Sequence, residues 1–312
     1  MKTNKKNVLF WVGVKSQDPL LQEKHGGFKY LDISRKSWEW WCKKHDVIFF
    51  PYEVPGKSDT SAHKVTWQRW FDVFPQLEQA GINYKKIAVI DGSTLVSWQC
   101  PNFFNLVDEL KVTFNKTKQT TLKDDMRGTI VAWRSLENIR WINDGIEGYK
   151  GHEDSDSMVK GRGLNLNPFD LKTYVSCGFQ IFDESHREFL ETLKEYYFRN
   201  YKSIMLRQNK HIKRGTDQPV YNWLLHLLTN DLGEYRVIEG NKFLSPAFFQ
   251  THLNRFDWFS HNWQLKDKNG NVDKTPFFIK YGFIWFYSGF PERGMRYDMM
   301  KNTWNTIERM YK

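Results

Sequence analysis

Cysteine is scarce in this chain. Of 312 residues only Cys42, Cys100 and Cys177 are cysteine, far apart, odd in number and with no C-x-x-C among them. A disulfide framework or a zinc cluster needs closer or more numerous thiols, so both are excluded. The pattern points to a reducing compartment, with the thiols as small core residues. Long apolar runs are missing too, since nothing approaches the roughly 18 apolar residues that span a bilayer. The basic start, Met1 to Lys6, does lead into Val8-Leu9-Phe10-Trp11-Val12-Gly13-Val14. That run is at the short limit for a secretory segment, Lys15 follows directly, and no small-x-small cleavage site appears, so a buried first strand fits better. The histidines His152, His211, His252 and His261 share no metal-ligand spacing. No repeat or low-complexity tract occurs. These absences predict a cytoplasmic protein with no membrane segment and no obligate protein partner.

What is abundant is aromatic surface and positive charge. Fourteen Trp, 14 Tyr and 24 Phe, within 40% hydrophobic residues, can bury a sizeable core and exclude wholesale disorder. The length suits one large α/β domain or two modest ones, and no shift of composition divides it. Lys plus Arg total 46 against 36 Asp plus Glu, a net charge of +10. A field of that sign attracts polyanions, which bears on partners and not on fold.

Apolar periodicity alternates between the two regular types. Val8 to Val14 reads as a strand buried on both faces. Ser34 can cap a helix carrying Trp38, Trp41 and Cys42, and a second strand, Val47 to Phe50, is closed by Pro51. From His63 to Gln79, Trp67, Trp70, Phe71, Phe74 and Leu77 recur at helical spacing, with Pro75 limiting the last turn. Lys86 to Ile90 is a third strand ending at Asp91. The order predicts a Rossmann-like, mainly parallel sheet flanked by helices. Beyond it, Gly145 to Gly163 reads as a loop, Tyr174 to Phe182 as a strand, and Ser185 with Glu188 as a capping box opening a helix. Another helix begins at Thr216, with Pro219 in its first turn. The last third is irregular and aromatic-rich, ending in a helix from Met299 to Tyr311.

Three features carry chemistry. The third strand delivers Asp91 at its carboxyl end and turns at Gly92 ahead of Ser93, where open α/β sheets bind ligands. A carboxylate there can hold a divalent ion against a diphosphate or accept from a ribose hydroxyl, although Asp-Gly after a strand is also ordinary turn chemistry. Asp217 lies in a first helical turn, where the dipole stabilises its charge. It reads either as a helix-start acid or as a group that positions an acceptor or serves as general base. Finally, Arg199, Lys202, Arg207, Lys210, Lys213 and Arg214 form a run without Asp or Glu that leads into Asp217. Such a run is a solvated helix end or the mark of an anionic partner.

Four segments in order, Asp91-Gly92-Ser93-Thr94-Leu95-Val96 continuing to Phe104, Ser176 to Phe182, Gly215 to Asn222 and Ile284 to Gly289, resemble the GT-A nucleotide-sugar glycosyltransferases, in particular their short phage-type members. The resemblance implies one GT-A domain over residues 1–312, with a donor-binding half over about 1–125 and an acceptor-side half over about 126–312. It implies sugar transfer from a nucleoside-diphosphate sugar, UDP-linked in the first instance. The implied donor residues are Gly13, Val14, Arg69, Asp91, Gly92, Ser93 and Gly178, the last as a small residue that lets backbone approach the sugar. Asp217 is the implied catalytic residue, Gln218, Lys210, Lys213 and Arg214 meet the acceptor, and Arg293 and Lys301 meet the diphosphate. Mn²⁺ or Mg²⁺ on Asp91 is the implied cofactor. Yet the second acid of the D-x-D pattern is Ser93, and a C-terminal histidine position reads Phe286. That leaves a thin oxygen set for a hard ion. Lys280, Arg293, Arg296 and Lys301 lie near the C-terminal loop and are able to take over its charge. With the basic run and the net charge, the favoured acceptor is a 5-hydroxymethylated pyrimidine in DNA, inside a bacterial or phage-infected cell. A glycan acceptor, or a non-catalytic nucleic-acid-binding protein on the same scaffold, is the alternative.

Overall fold

The computed structural model describes residues 5–13, 15–53, 55–56, 65–105, 120–123, 175–184, 187–188, 190–195, 197–199, 217, 250–253, 265–266, 272–273, 283–287 and 294–312. The expected loop from Gly145 to Gly163 and the helix from Thr216, Asp217 apart, lie outside these residues. The first strand, β1, runs over Lys6–Val12. A two-residue strand, β2 (Lys15–Ser16), and a short helix, α1 (Pro19–Lys24), lead to the long helix α2 (Tyr30–Lys44). Strands β3 (Ile48–Tyr52) and β4 (Pro55–Gly56), helix α3 (Val65–Gln79) and strand β5 (Tyr84–Asp91) follow. Thereafter come β6 (Thr94–Val96), β7 (Thr120–Lys123), β8 (Val175–Phe182) and β9 (Gln250–Leu253). The chain closes with β10 (Leu265–Lys266), β11 (Val272–Asp273), β12 (Ile284–Tyr287) and the C-terminal helix α4 (Met295–Ile307).

The main sheet has the order β3-β1-β5-β8-β7, with β1 parallel to both β3 and β5 and with β8 antiparallel to β5 and β7. Its two faces are written in the period-2 alternation of β1. Leu9 and Trp11 join the core formed with α2, where Trp38, Trp41 and Cys42 are buried. Phe10 turns the other way and stacks on Phe50 and Tyr52, whose hydroxyl donates to Asp72 of α3. Helices therefore cover both faces, as the alternation of elements in the sequence requires. A second sheet, β6-β12-β9, brings the C-terminal strand against the turn after β5. The core unites distant parts of the chain, with Leu9, Phe179, Trp285 and Trp304 in one cluster. The thiols of Cys42 and Cys100 are buried and free, and burial pushes each well above the usual thiol range.

Several elements depart from the sequence reading. Ser34 is not a cap, because α2 already begins at Tyr30, and its buried hydroxyl accepts from Trp11 Nε1 at 2.9 Å. Pro51 lies inside β3, which is tolerated because β3 is the sheet's edge. Pro75 lies inside α3, which continues to Gln79 with Phe74 and Leu77 both buried. Burial of that apolar stripe outweighs the roughly 3 kcal/mol that an internal proline costs. The last helix starts four residues early, after Gly294 at φ 70°, a left-handed conformation that glycine adopts without strain. Among the described residues no helix is long and apolar enough to cross a membrane.

Candidate functional site

The wholly buried run Ile87–Ile90 anchors β5 and brings Asp91 out at its carboxyl end, level with Val12 of β1. The turn there is built to hold the carboxylate. Asp91 Oδ1 accepts from the Ser93 amide at 2.9 Å and from Ser93 Oγ at 3.0 Å. Thr94 Oγ1 donates to the Asp91 carbonyl at 2.6 Å and accepts from Trp38 Nε1 at 2.9 Å, so α2 pins the turn from behind. Gly92 donates to the Val12 carbonyl at 2.9 Å, and a Cβ at this position would sit 2.5 Å from that oxygen and 2.6 Å from Leu31 Cδ2. Only glycine closes the turn so tightly. Gly13, just past β1, donates to the Tyr52 carbonyl at 2.9 Å and completes the floor.

Arg69 reaches this turn from α3. Its Nη1 lies 3.4 Å from Asp91 Oδ2, and its Nη2 donates to Asp217 Oδ2 at 2.6 Å. Trp70 Nε1 donates to the same Asp217 oxygen at 3.0 Å, and the guanidinium carbon stands 4.7 Å from the Trp70 ring centroid. Arg69 and Asp217 are 7% and 5% exposed at the side chain, whereas Asp91 is 41% exposed. The arrangement is a buried ion pair with a second carboxylate at the mouth. Asp217 Oδ2 is committed to two donors, which leaves Oδ1 as the oxygen able to meet a ligand.

The C-terminal strand forms the far wall. Tyr287 donates its amide to the Ser93 carbonyl at 2.8 Å, and Phe286 stands opposite Thr94 in register. The Phe286 ring is buried against Gly178 of β8, where a Cβ would lie 2.5 Å from Phe286 Cε1. The room left by the missing side chain at Gly178 is thus filled by Phe286. Behind it, Tyr287 Oη donates to Thr303 of α4 at 2.7 Å.

Of the residues expected from sequence, Gly13, Arg69, Asp91, Gly92, Ser93, Gly178 and Asp217 are brought together. Lys301 is exposed, with Nζ 5.7 Å from the Tyr297 ring centroid, two turns along α4 from its start. Val14, Lys210, Lys213, Arg214, Gln218 and Arg293 lie outside the described residues. Two further members had no sequence signal. Trp70 binds Asp217, although helical spacing marks it only as core. Tyr30, buried at the start of α2, accepts from Arg296 Nη1 at 3.2 Å, with the guanidinium carbon 5.1 Å from its ring centroid. Burial raises the Tyr30 phenol above its ordinary range; Arg296 opposes the rise and the charge of Asp91 adds to it.

Among the described residues the side chains are a thin oxygen set for a divalent ion. Hard ions take six or more oxygen ligands. Here Asp91 offers one carboxylate already facing a guanidinium, Ser93 Oγ donates to that carboxylate and keeps its lone pairs, and Phe286 presents carbon. Among the described residues no group of three or more His, Cys, Asp or Glu side chains converges.

No protein-family model and no curated protein sequence matches the chain. Among the solved structures that the chain resembles are three glycosyltransferases. The first is involved in glycosylation of the major capsid of PBCV-1; it shares 12% identity at a TM-score of 0.49 and covers 95% of this chain and 99% of its own. The galactosyltransferase LgtC, solved with donor and acceptor sugar analogs, shares 11% at a TM-score of 0.41, over 96% of this chain and 95% of its own. The bifunctional glycosyltransferase WbbM shares 14% at a TM-score of 0.39, spanning all of this chain but only 52% of its own. Identities this low assign no residue a role.

Proposed function

We propose that this chain is a GT-A glycosyltransferase that moves a sugar from a nucleoside-diphosphate donor to an acceptor hydroxyl. One observation carries the reading: Arg69 ties the exposed Asp91 at a strand's carboxyl end to the buried Asp217, 148 residues away in sequence. A nucleotide-sugar presents hydroxyls and a diphosphate. Carboxylate oxygens at Asp91 and Asp217 Oδ1 suit the hydroxyls of ribose and sugar, and a fixed guanidinium suits an oxygen that gains charge as the glycosidic bond breaks. Gly13 and Gly92 bring backbone close to the nucleotide, Gly178 serves indirectly by admitting Phe286, and Asp217 positions the attacking hydroxyl.

For the acceptor we propose a polyanion, and specifically DNA carrying a 5-hydroxymethylated pyrimidine. The net charge of +10 and the acid-free run from Arg199 to Arg214, which leads into Asp217, support it. Phosphate contacts supply affinity without sequence preference, and aromatic side chains can receive a base swung out of the stack.

The test is stepwise. A panel of nucleotide-sugars should raise the melting temperature, and the stabilising one should be hydrolysed slowly in the absence of acceptor. Asp91→Ala should abolish that hydrolysis while melting within a few degrees of wild type, because its bonds are confined to its own turn and a 3.4 Å contact. A variant with full turnover would remove Asp91 from the site. DNA containing 5-hydroxymethylcytosine or 5-hydroxymethyluracil, incubated with donor and digested to nucleosides, should then show a mass gain of one sugar. Hydrolysis without any modified nucleoside returns the acceptor to the saccharides.

A further inference from the structure

We infer that Arg296, held on Tyr30, supplies the positive charge that the donor's diphosphate meets in this site, in the place where the GT-A pattern puts a divalent ion. The inference rests on the nucleotide-sugar reading above.

The charge count among the described residues at the turn favours a further cation. Arg69 brings one positive charge, and Asp91 and Asp217 bring two negative ones, so the three together carry a net −1. A diphosphate entering such a site is repelled unless something offsets its charge. Among the described residues the oxygen set at Asp91 and Ser93 is thin for a divalent ion, because two side chains supply it and Phe286 presents carbon. A side-chain cation would supply the compensating charge.

Arg296 has the right state and place. Its one side-chain hydrogen bond goes to the neutral Tyr30 hydroxyl, and its Nε is buried with no partner. Among the described residues no carboxylate pairs with it. A half-buried guanidinium with donors unspent and charge unmatched is poised for an anion that arrives from outside. Its position is held from two sides. Gly294 donates to the Lys24 carbonyl at 3.1 Å, tying the start of α4 to the segment before α2. Tyr30, under the guanidinium, precedes Leu31, whose Cδ2 reaches the space over Gly92. The charge of Asp91 also acts on the Tyr30 hydroxyl that Arg296 binds. Arg69 and Arg296 thus divide the work, the first neutralised and oriented by Asp217, the second left unmatched for the diphosphate.

Binding in EDTA reads this directly. UDP, GDP, ADP and dTDP, each beside its nucleoside, are titrated into the full chain with EDTA and again with Mn²⁺. At least one diphosphate should bind in EDTA. Arg296→Gln should weaken it about tenfold or more, as loss of a charged hydrogen bond predicts, while the nucleoside binds as before. Arg296→Lys should restore part of the loss. Equal diphosphate affinity in Arg296→Gln, or binding that appears only with Mn²⁺, overturns the inference and leaves the nucleotide-sugar reading standing. If no diphosphate binds wild type under either condition, that reading fails and takes this inference with it. Should Arg296→Gln not fold, Tyr30→Phe carries the test. It keeps the ring and removes the anchor, and an unchanged diphosphate affinity overturns the inference.

Discussion

At the scale of single residues, burial separates the two carboxylates of the site. Asp217 is enclosed with Arg69, and removing one partner of such a pair strands the other charge in a poor solvent. Asp217→Ala should therefore lower stability by about 3–5 kcal/mol in denaturant titrations. Asp217→Asn keeps the shape and can still accept from Trp70, so it should cost less stability while slowing transfer roughly 10²-fold if Oδ1 takes the acceptor's proton. Unchanged transfer by a folded Asp217→Asn would show that Asp217 only holds Arg69. The two acids were legible in sequence to different degrees. Asp91 follows an unbroken apolar run and so declares a strand's carboxyl end. Asp217 sits 148 positions from its partner, and no local pattern reports a contact that tertiary folding alone creates. Tyr30 and Arg296, 266 positions apart, were invisible as a pair for the same reason.

At the scale of elements, strand periodicity was the most readable signal and helix boundaries the least. β1, β3, β5 and β8 fall within a few residues of their apolar runs, and in β1 and β5 the run is buried on both faces. The ends of α2 and α4 escaped because the residues that set them lie in turns. Ser34 has the sequence context of a cap, but its hydroxyl is taken up by Trp11, a contact that only the fold creates. β8 and β12 meet through Gly178 and Phe286, and this contact is testable. Gly178→Ala places a methyl 2.5 Å from Phe286 Cε1 and should destabilise by about 1–3 kcal/mol, as overpacking does. Phe286→Leu added to Gly178→Ala should recover part of that loss, since the smaller side chain gives way. A double variant no more stable than Gly178→Ala would mean that the glycine answers to something other than this ring.

At the scale of the whole molecule, acid should loosen the fold. Burial, with Arg296 and Lys24 adding, lowers His25 from the ordinary 6.5 to about 4. Between those values the unfolded chain takes up a proton that the folded chain refuses, so stability falls as pH drops from about 6.5 to 4 and is fully present above. Burial lowers His45 as well, and Glu184, lowered chiefly by its bond from Arg187, also loses its contribution in acid. Melting temperature should decline across that window, and His25→Gln should flatten part of the decline. A slope unchanged in His25→Gln would place the titration elsewhere.

The net charge of +10 acts over the same whole-molecule scale and bears on what the site is offered. A polyanion such as DNA sheds counterions when basic side chains meet its phosphates, so its affinity falls linearly with the logarithm of salt, by about 0.9 per contact. A neutral saccharide gives no such slope. The sequence placed its densest basic run, Arg199 to Arg214, immediately before Asp217, and the structure encloses Asp217 in the site with Arg69. Under the proposed function the acceptor hydroxyl arrives at Asp217, a few residues beyond the end of that run. Replacing Lys210, Lys213 and Arg214 together by Ala should reduce the salt slope of binding to duplex DNA by up to about three contacts' worth. Donor hydrolysis by the same variant should be unchanged, because the proposed donor site is Asp91, Arg69 and their neighbours. A loss of hydrolysis in step with binding would place the run in the donor site, and a slope near zero in the wild type would exclude DNA as the acceptor and leave an uncharged glycan in its place.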